Sequence, residues 1–228
     1  MNTNLFALSD EPFEAPETVI SVFKRYDAEI FVDCAEQLAD FPSALENASY
    51  NDPLSSKARL FAYNYAIKEL GFYFPLIPSA DCGKLIIDNK LDTEKCKSLK
   101  SEAVKLNGAE EYTADFEDIK LGAENGYSCY GILIDGHVVS AAYAFMPDDM
   151  IEDEVEIGVE TVPAFRGKGY AAQCVIALCK HLVSKDIDVM YSYYEENKAS
   201  AALSKKCGFL EIARGFEISL ERGDNNAV

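Results

Sequence analysis

No apolar run in this 228-residue chain approaches the roughly 20 residues that a membrane span needs. The opening stretch from Met1 to Asp10 also lacks the basic start and long apolar segment of a secretory signal. A cytoplasmic protein without a membrane partner is expected. Seven cysteines form no Cys-x-x-Cys pair, and the two histidines, His137 and His181, lie far apart in sequence. This pattern suits reduced, buried thiols better than a disulfide framework, and it offers no metal site. Basic residues are scarce, 21 against 39 acidic ones, for a formal charge of -18. The phosphate backbone of nucleic acid would be repelled over most of such a surface, whereas a small cation would be attracted.

What the chain does have is the composition of an ordinary folded protein. At 49% hydrophobic content, 228 residues can bury the core of one large or two small domains. Residues 1–80 read as a helical, aromatic region. Val19, Val22, Phe23 and Tyr26 predict a helix over Thr18–Tyr26, and Leu60, Phe61, Ile67 and Leu70 predict another over Ser56–Leu70, stopped at Gly71. Phe72-Tyr-Phe-Pro-Leu-Ile-Pro78 breaks the pattern and sets a boundary near residue 80. Beyond it a strand is expected over Lys84–Asp88. A helix should run from Thr93 to Leu106, capped by Asp92 or Thr93 and ended by Asn107-Gly108, with a short one near Asp115–Leu121.

From Tyr127 the period becomes that of an antiparallel sheet. Ser128–Ile134, Asp135-Gly136 and His137–Phe145 form a hairpin signal. In the next strand, Ile151–Val159, the apolar Ile151, Val155, Ile157 and Val159 face one way, and Glu152, Glu154, Glu156 and the following Glu160 face the other. A helix over Gly169–Ser184 should bury Ala171, Cys174, Val175, Leu178 and Leu182. The chain then closes with a strand over Asp188–Tyr193, a helix over Asn197–Cys207 stopped by Gly208, and one or two strands over Phe209–Leu220.

Between the acidic strand and the helix lies Val162-Pro-Ala-Phe-Arg-Gly-Lys-Gly-Tyr-Ala171. Gly167 and Gly169 remove the Cβ atoms that would hold a ligand away from the backbone. The helix start leaves N–H groups unpaired at the positive dipole end, and Arg166 and Lys168 add two cations. The turn is suited to phosphate. Gly167 to Ala172 also satisfies the dinucleotide pattern G-x-G-x-x-A. A Rossmann turn, however, follows its strand directly within repeated βαβ units, and here Pro163 and Arg166 intervene after antiparallel strands.

Together with Asn197-x-x-Ser-x-x-Leu-x-x-Lys-x-Gly-Phe209, this turn resembles the GNAT superfamily of acyl-coenzyme A-dependent N-acyltransferases. The first motif matches as Arg166, Gly169 and Ala171, preceded by Pro163, and the second as the Asn-x-x-Ser helix with its Gly-Phe ending. The resemblance covers about residues 81–228, with residues 1–80 as an additional N-terminal region. It implies an α+β fold, a mostly antiparallel twisted central sheet flanked by helices, with acetyl-CoA as the cofactor and no metal. The backbone N–H groups of Gly167, Lys168, Gly169, Tyr170 and Ala171 would then hold the pyrophosphate, with Arg166 and Lys168 near the phosphates. Thr161 and Val162 would pair with the pantetheine arm, and Asn197 would touch it from the other side.

The resemblance also implies direct acetyl transfer to an amine. A primary ammonium of pKa about 10.4 is only about one part in a thousand neutral near pH 7.4, a deficit of about 4 kcal/mol, so a nearby carboxylate that accepts its proton contributes directly. Glu156 is the first candidate and Glu154 the second, although each also reads as part of a solvated strand face. Many family members carry a thiolate-protonating tyrosine where this chain has Ser204, a far weaker acid, which leaves that work to a water, to another tyrosine such as Tyr194, or to no protein group. The resulting reading is an N-acetyltransferase for a small cationic amine, with dimerisation left open. The alternative is a non-catalytic or sensory acyl-CoA-binding module.

Overall fold

A computed structural model describes residues 1–6, 17–70, 76–79, 81–113 and 116–222. The chain folds, in order, into β1 (Asn2–Phe6), β2 (Glu17–Arg25), β3 (Ile30–Ala35), α1 (Phe41–Asn47), α2 (Ser56–Leu70), β4 (Leu76–Pro78) and β5 (Leu85–Leu91). There follow α3 (Thr93–Ser98), β6 (Val104–Lys105), α4 (Glu117–Glu124), β7 (Tyr127–Ile134), β8 (His137–Pro147) and β9 (Glu154–Thr161). The last elements are α5 (Tyr170–Val183), β10 (Asp188–Tyr194), α6 (Lys198–Cys207) and β11 (Phe209–Arg222). The fold is mixed α+β, with helices flanking β-sheet. No helix among the described residues is long and apolar enough to cross a membrane.

Two compact units divide the chain. The first takes Met1–Ile87, Tyr194–Glu196 and Ile212–Val228, and the second takes Asp88–Tyr193 and Asn197–Glu211. In the first, β2 lies between β3 and β11, antiparallel to both, with Val22 opposite Val32 on one side and Phe216 on the other. β1 joins the far side of β3 in parallel. The helix predicted over Thr18–Tyr26 is therefore a strand. Its apolar spacing imitates a helical face, but the β-branched Thr18, Val19, Ile20 and Val22 suit a pleated ladder, and Val19, Ile20 and Val22 are all buried. The Ser56–Leu70 helix forms as expected. It buries Ala58, Ala62, Ala66 and Leu70, however, and leaves Leu60 exposed, because small alanines four apart let the helix approach its neighbours closely. The expected stop at Gly71 and most of the break after it lie outside the described residues.

The second unit carries the sheet β5-β10-β9-β8-β7-β6. The β7–β8 hairpin turns at Asp135 (φ 52°) and Gly136 (φ 85°), the positive pair that this Asp-Gly turn requires. β9 begins at Glu154 rather than Ile151, and it buries Val155 and Ile157 while exposing Glu154, Glu156 and Glu160. β9 and β10 are parallel neighbours, joined by α5, which buries Cys174, Val175, Leu178, Cys179 and Leu182. Ala171, expected in that core, is only half-buried, and Ala172 takes the buried position.

One helix is much shorter than its sequence suggests. α3 starts as expected, with the Asp92 carboxylate accepting from the Lys95 N–H at 3.1 Å, but it ends at Ser98 instead of Leu106. Leu99 is extended, the Lys180 ammonium donates to its carbonyl, and Ser101 Oγ donates to the Gln173 carbonyl. These tertiary bonds draw the chain out toward the short strand β6, which pairs with β7. α4 spans Glu117–Glu124, and its expected first residue, Asp115, lies outside the described residues.

Candidate active site

Beyond the pairing of Glu156 with Met190, β9 and β10 cease to be matched residue for residue, and a cavity of about 740 Å³ opens between them. Val159–Val162 line one side and Tyr191 the other, with Phe116 also reaching the lining. Its floor is the turn after β9: one 3₁₀ turn at Pro163–Phe165, then Arg166 and the glycines, then the first residues of α5. Gly167 and Gly169 have φ of 76° and 84°, which an L side chain rarely adopts. Nothing lies within 4 Å of where a Gly167 Cβ would stand. This is open backbone at a helix N-terminus, the arrangement that receives phosphate.

The cations around the turn are not equivalent. Arg166 turns back so that its Nε donates to the Thr161 carbonyl at 3.1 Å, and the Lys168 ammonium sits 4.6 Å from the centre of the Phe165 ring. A third cation comes from α6, where Lys206 Nζ stands 3.4 Å from the Cβ position of Gly169. Asn197, Ser200, Leu203 and Lys206 all line the cavity, three residues apart, so one stripe of α6 forms the wall. The second motif contains this stripe, but sequence reasoning gave a role to Asn197 alone. The i, i+3 repeat was the signal that could have identified the rest. Asn197 also caps α6, its side-chain oxygen accepting from the Ser200 N–H at 3.1 Å.

Ser204 points away from the cavity. It is buried, its hydroxyl donates to Asn89 Oδ1 at 3.2 Å, and the Asn89 amide donates to the Tyr191 carbonyl at 3.1 Å. The residue at this position therefore ties α6 to β5 and β10. Tyr191 is both buried and cavity-lining, and burial raises its phenol above the usual range. Tyr194 is not among the lining residues. It belongs to the first unit, where Lys84 Nζ lies 5.4 Å from its ring centre and where burial, then Asp81, raises its pKa.

Glu154 and Glu156 are exposed and do not line the cavity, whereas Glu160, farther along the same face of β9, does. The Tyr143 hydroxyl donates to Glu160 Oε1 at 3.5 Å. Tyr143 is pushed up to about 12 by burial and then by the Glu160 carboxylate, so it stays a neutral donor. The ring reaches this place across Gly158, where an added Cβ would stand 2.5 Å from Tyr143 Cζ.

The remaining candidates lie elsewhere. His137 Nε2 is 2.8 Å from a Glu111 carboxylate oxygen on the surface, and His181 packs against Tyr130, its pKa lowered chiefly by burial. Cys129, Cys174, Cys179 and Cys207 are fully buried, and burial raises all four thiols, Cys174 to about 11 and Cys129 and Cys207 to about 12. Such thiols are poor nucleophiles. Among the described residues, no group of three or more His, Cys, Asp or Glu is placed to hold a metal ion.

A family model for GNAT acetyltransferases matches residues 86–214. Among solved structures, a GNAT-family acetyltransferase from Colwellia psychrerythraea is similar over 88% of this chain and 81% of its own, at 14% identity and a TM-score of 0.50, a likeness of fold. A protein named as a GNAT-family acetyltransferase from Novosphingobium aromaticivorans aligns over 61% of this chain and 65% of its own, at 18% identity and a TM-score of 0.49. No curated protein matches the sequence.

Proposed function

Because the chain belongs to the GNAT acetyltransferase family, whose members transfer acyl groups from acyl-CoA, we propose that it moves an acetyl group from acetyl-CoA directly to the amine of a small cationic acceptor. The observation that carries the reading is the cavity between β9 and β10, floored by two positive-φ glycines at the N-terminus of α5. The residues present suit coenzyme A. The N–H groups of Gly167 to Ala171 would hold a diphosphate, Lys206 and Arg166, both at the cavity, would supply charge, and the backbone of Thr161 and Val162 runs beside the space for a pantetheine arm. The Asn197 side chain meets that arm from α6. Hydrogen bonds to a charged group are worth about 1.5 to 3 kcal/mol each, so three or four are enough for micromolar affinity after association costs.

When bound, the coenzyme supplies a thioester. The transfer forms an N–C bond and breaks a C–S bond, and two protons leave the nitrogen, one passing through a carboxylate to solvent and one reaching the thiolate. Glu160 is favoured over Glu156 and Glu154 as the carboxylate that meets the ammonium, because it alone of the three lines the cavity. Glu156 and Glu154 then act at longer range, as part of the field that draws the cation. For the thiolate, the phenols that line the cavity are Tyr170, on α5, and Tyr191, on β10; Tyr191, on the strand facing β9, is the candidate in preference to Tyr194.

The test is calorimetric titration with coenzyme A, followed by thiol release from acetyl-CoA with a panel of amines. Micromolar binding with amine-dependent release is expected. Binding without release from any amine would reduce the protein to an acyl-CoA-binding module, and no binding would overturn the site.

A further inference from the structure

Glu160 lines not one cavity but two. On its other side, beneath α4, a separate space of about 370 Å³ lies against the outer face of β7 and β8, within the size range of small-molecule sites. We propose that this second cavity holds the aromatic body of the acceptor, an arylalkylamine whose ammonium rests against Glu160 at the junction with the coenzyme cavity. The inference rests on the acetyl-transfer reading and adds the class of amine.

Three aromatic side chains, Tyr127, Tyr143 and Phe145, line this space, and Leu121 of α4 adds an apolar edge. Tyr143 and Phe145 meet edge to face with ring centres 5.5 Å apart, which leaves ring surface for a flat partner. Leu121 is 58% and Phe145 52% exposed, an unusual degree for large apolar side chains beside a cavity. A guest would cover them. The charged residues of the lining are Asp118 and Glu160, both acidic. A phosphorylated or carboxylated acceptor would be repelled, and a cation would be attracted by the carboxylates and the ring faces alike. A polyamine would satisfy the two carboxylates but would waste the three rings, so a single ammonium on an aromatic body fits the lining better. Gly158 is the structural condition for this arrangement, since any side chain there would displace the Tyr143 ring, which lines the cavity and whose hydroxyl meets Glu160.

The experiment measures acetyl-CoA-dependent thiol release with phenethylamine, n-butylamine and spermidine. It also measures direct calorimetric binding of phenethylamine to the coenzyme A complex, in wild type, Phe145→Ala and Leu121→Ala. Both replaced side chains are more than half exposed, so both variants should fold. Wild type is expected to favour phenethylamine by at least about tenfold in kcat/KM. Each substitution should cut that preference about fivefold or more, while coenzyme A affinity stays within about twofold. Equal use of all three amines, or a preference that both variants retain, would overturn the cavity assignment and leave the transferase reading intact. Binding of phenethylamine that weakens in both variants, without thiol release from any amine, would do the reverse.

Discussion

The two sides of this site use glycine for opposite reasons. At Gly167 and Gly169 it supplies a backbone angle, and next to Gly167 the space is empty; at Gly158 it supplies room, and the space is filled by Tyr143. The proposed coenzyme side is thus built from main chain at a helix start, which glycine provides at the right positions. The proposed acceptor side is built from side chains on α4, β7, β8 and β9, which only packing brings together. Loss of a backbone angle should therefore abolish coenzyme binding outright, while loss of a side chain on the acceptor side should leave that binding untouched.

The sharpest break in the comparison is Gly169→Asp. A carboxylate would enter beside Lys206, at the proposed pyrophosphate site, and the positive φ would be strained by about 1 kcal/mol or more. Coenzyme A affinity should fall at least about 100-fold with circular dichroism unchanged, and retained affinity would remove the anion-site assignment. Next comes Glu160→Gln, expected to lower amine kcat/KM about 100-fold, most at low pH where the amine is most protonated, with an unchanged coenzyme A Kd. Glu156→Gln and Glu154→Gln are the controls. A larger loss in either would return the proton-accepting role to that residue.

Lys206→Ala tests the cation that α6 brings to the turn. Losing one charge-assisted contact should weaken coenzyme A about tenfold or more and should spare the amine KM, as calorimetry and steady-state kinetics would show. The smallest effect should come from salt. Screening shortens from about 8 Å at physiological ionic strength to about 3 Å at 1 M, so amine KM should rise a few-fold. Coenzyme A, held by short directed bonds on a surface that otherwise repels it, should not share the rise. An amine KM indifferent to salt would leave the acidic face of β9 as ordinary solvated strand.

Much of the second unit was legible because its signals are local. The Asp135-Gly136 turn needs positive φ, the alternation along β9 needs a half-buried strand, and Gly208 (φ 95°) ends α6 as a helix-stopping glycine does. The failures were contests between local preference and distant partners. Apolar spacing over Thr18–Tyr26 is compatible with a helix until β3 and β11 offer hydrogen bonds on both sides. Leu99–Leu106 could continue a helix until Lys180 and Gln173 claim its polar groups. The choice among Glu154, Glu156 and Glu160 could not be read from alternation, which places all three on one face. It depends on where β9 and β10 part.

The sequence by itself determined the turn proposed to hold the coenzyme, because a proline, two glycines and a helix start adjacent in the chain specify an open, positive-φ backbone turn through local geometry alone. Tertiary structure decided the rest. It set Lys206 over that turn, buried Ser204 in a bond to Asn89, and stood Tyr143 between Gly158 and Glu160. Each of these contacts joins side chains far enough apart in sequence that no local preference encodes their meeting.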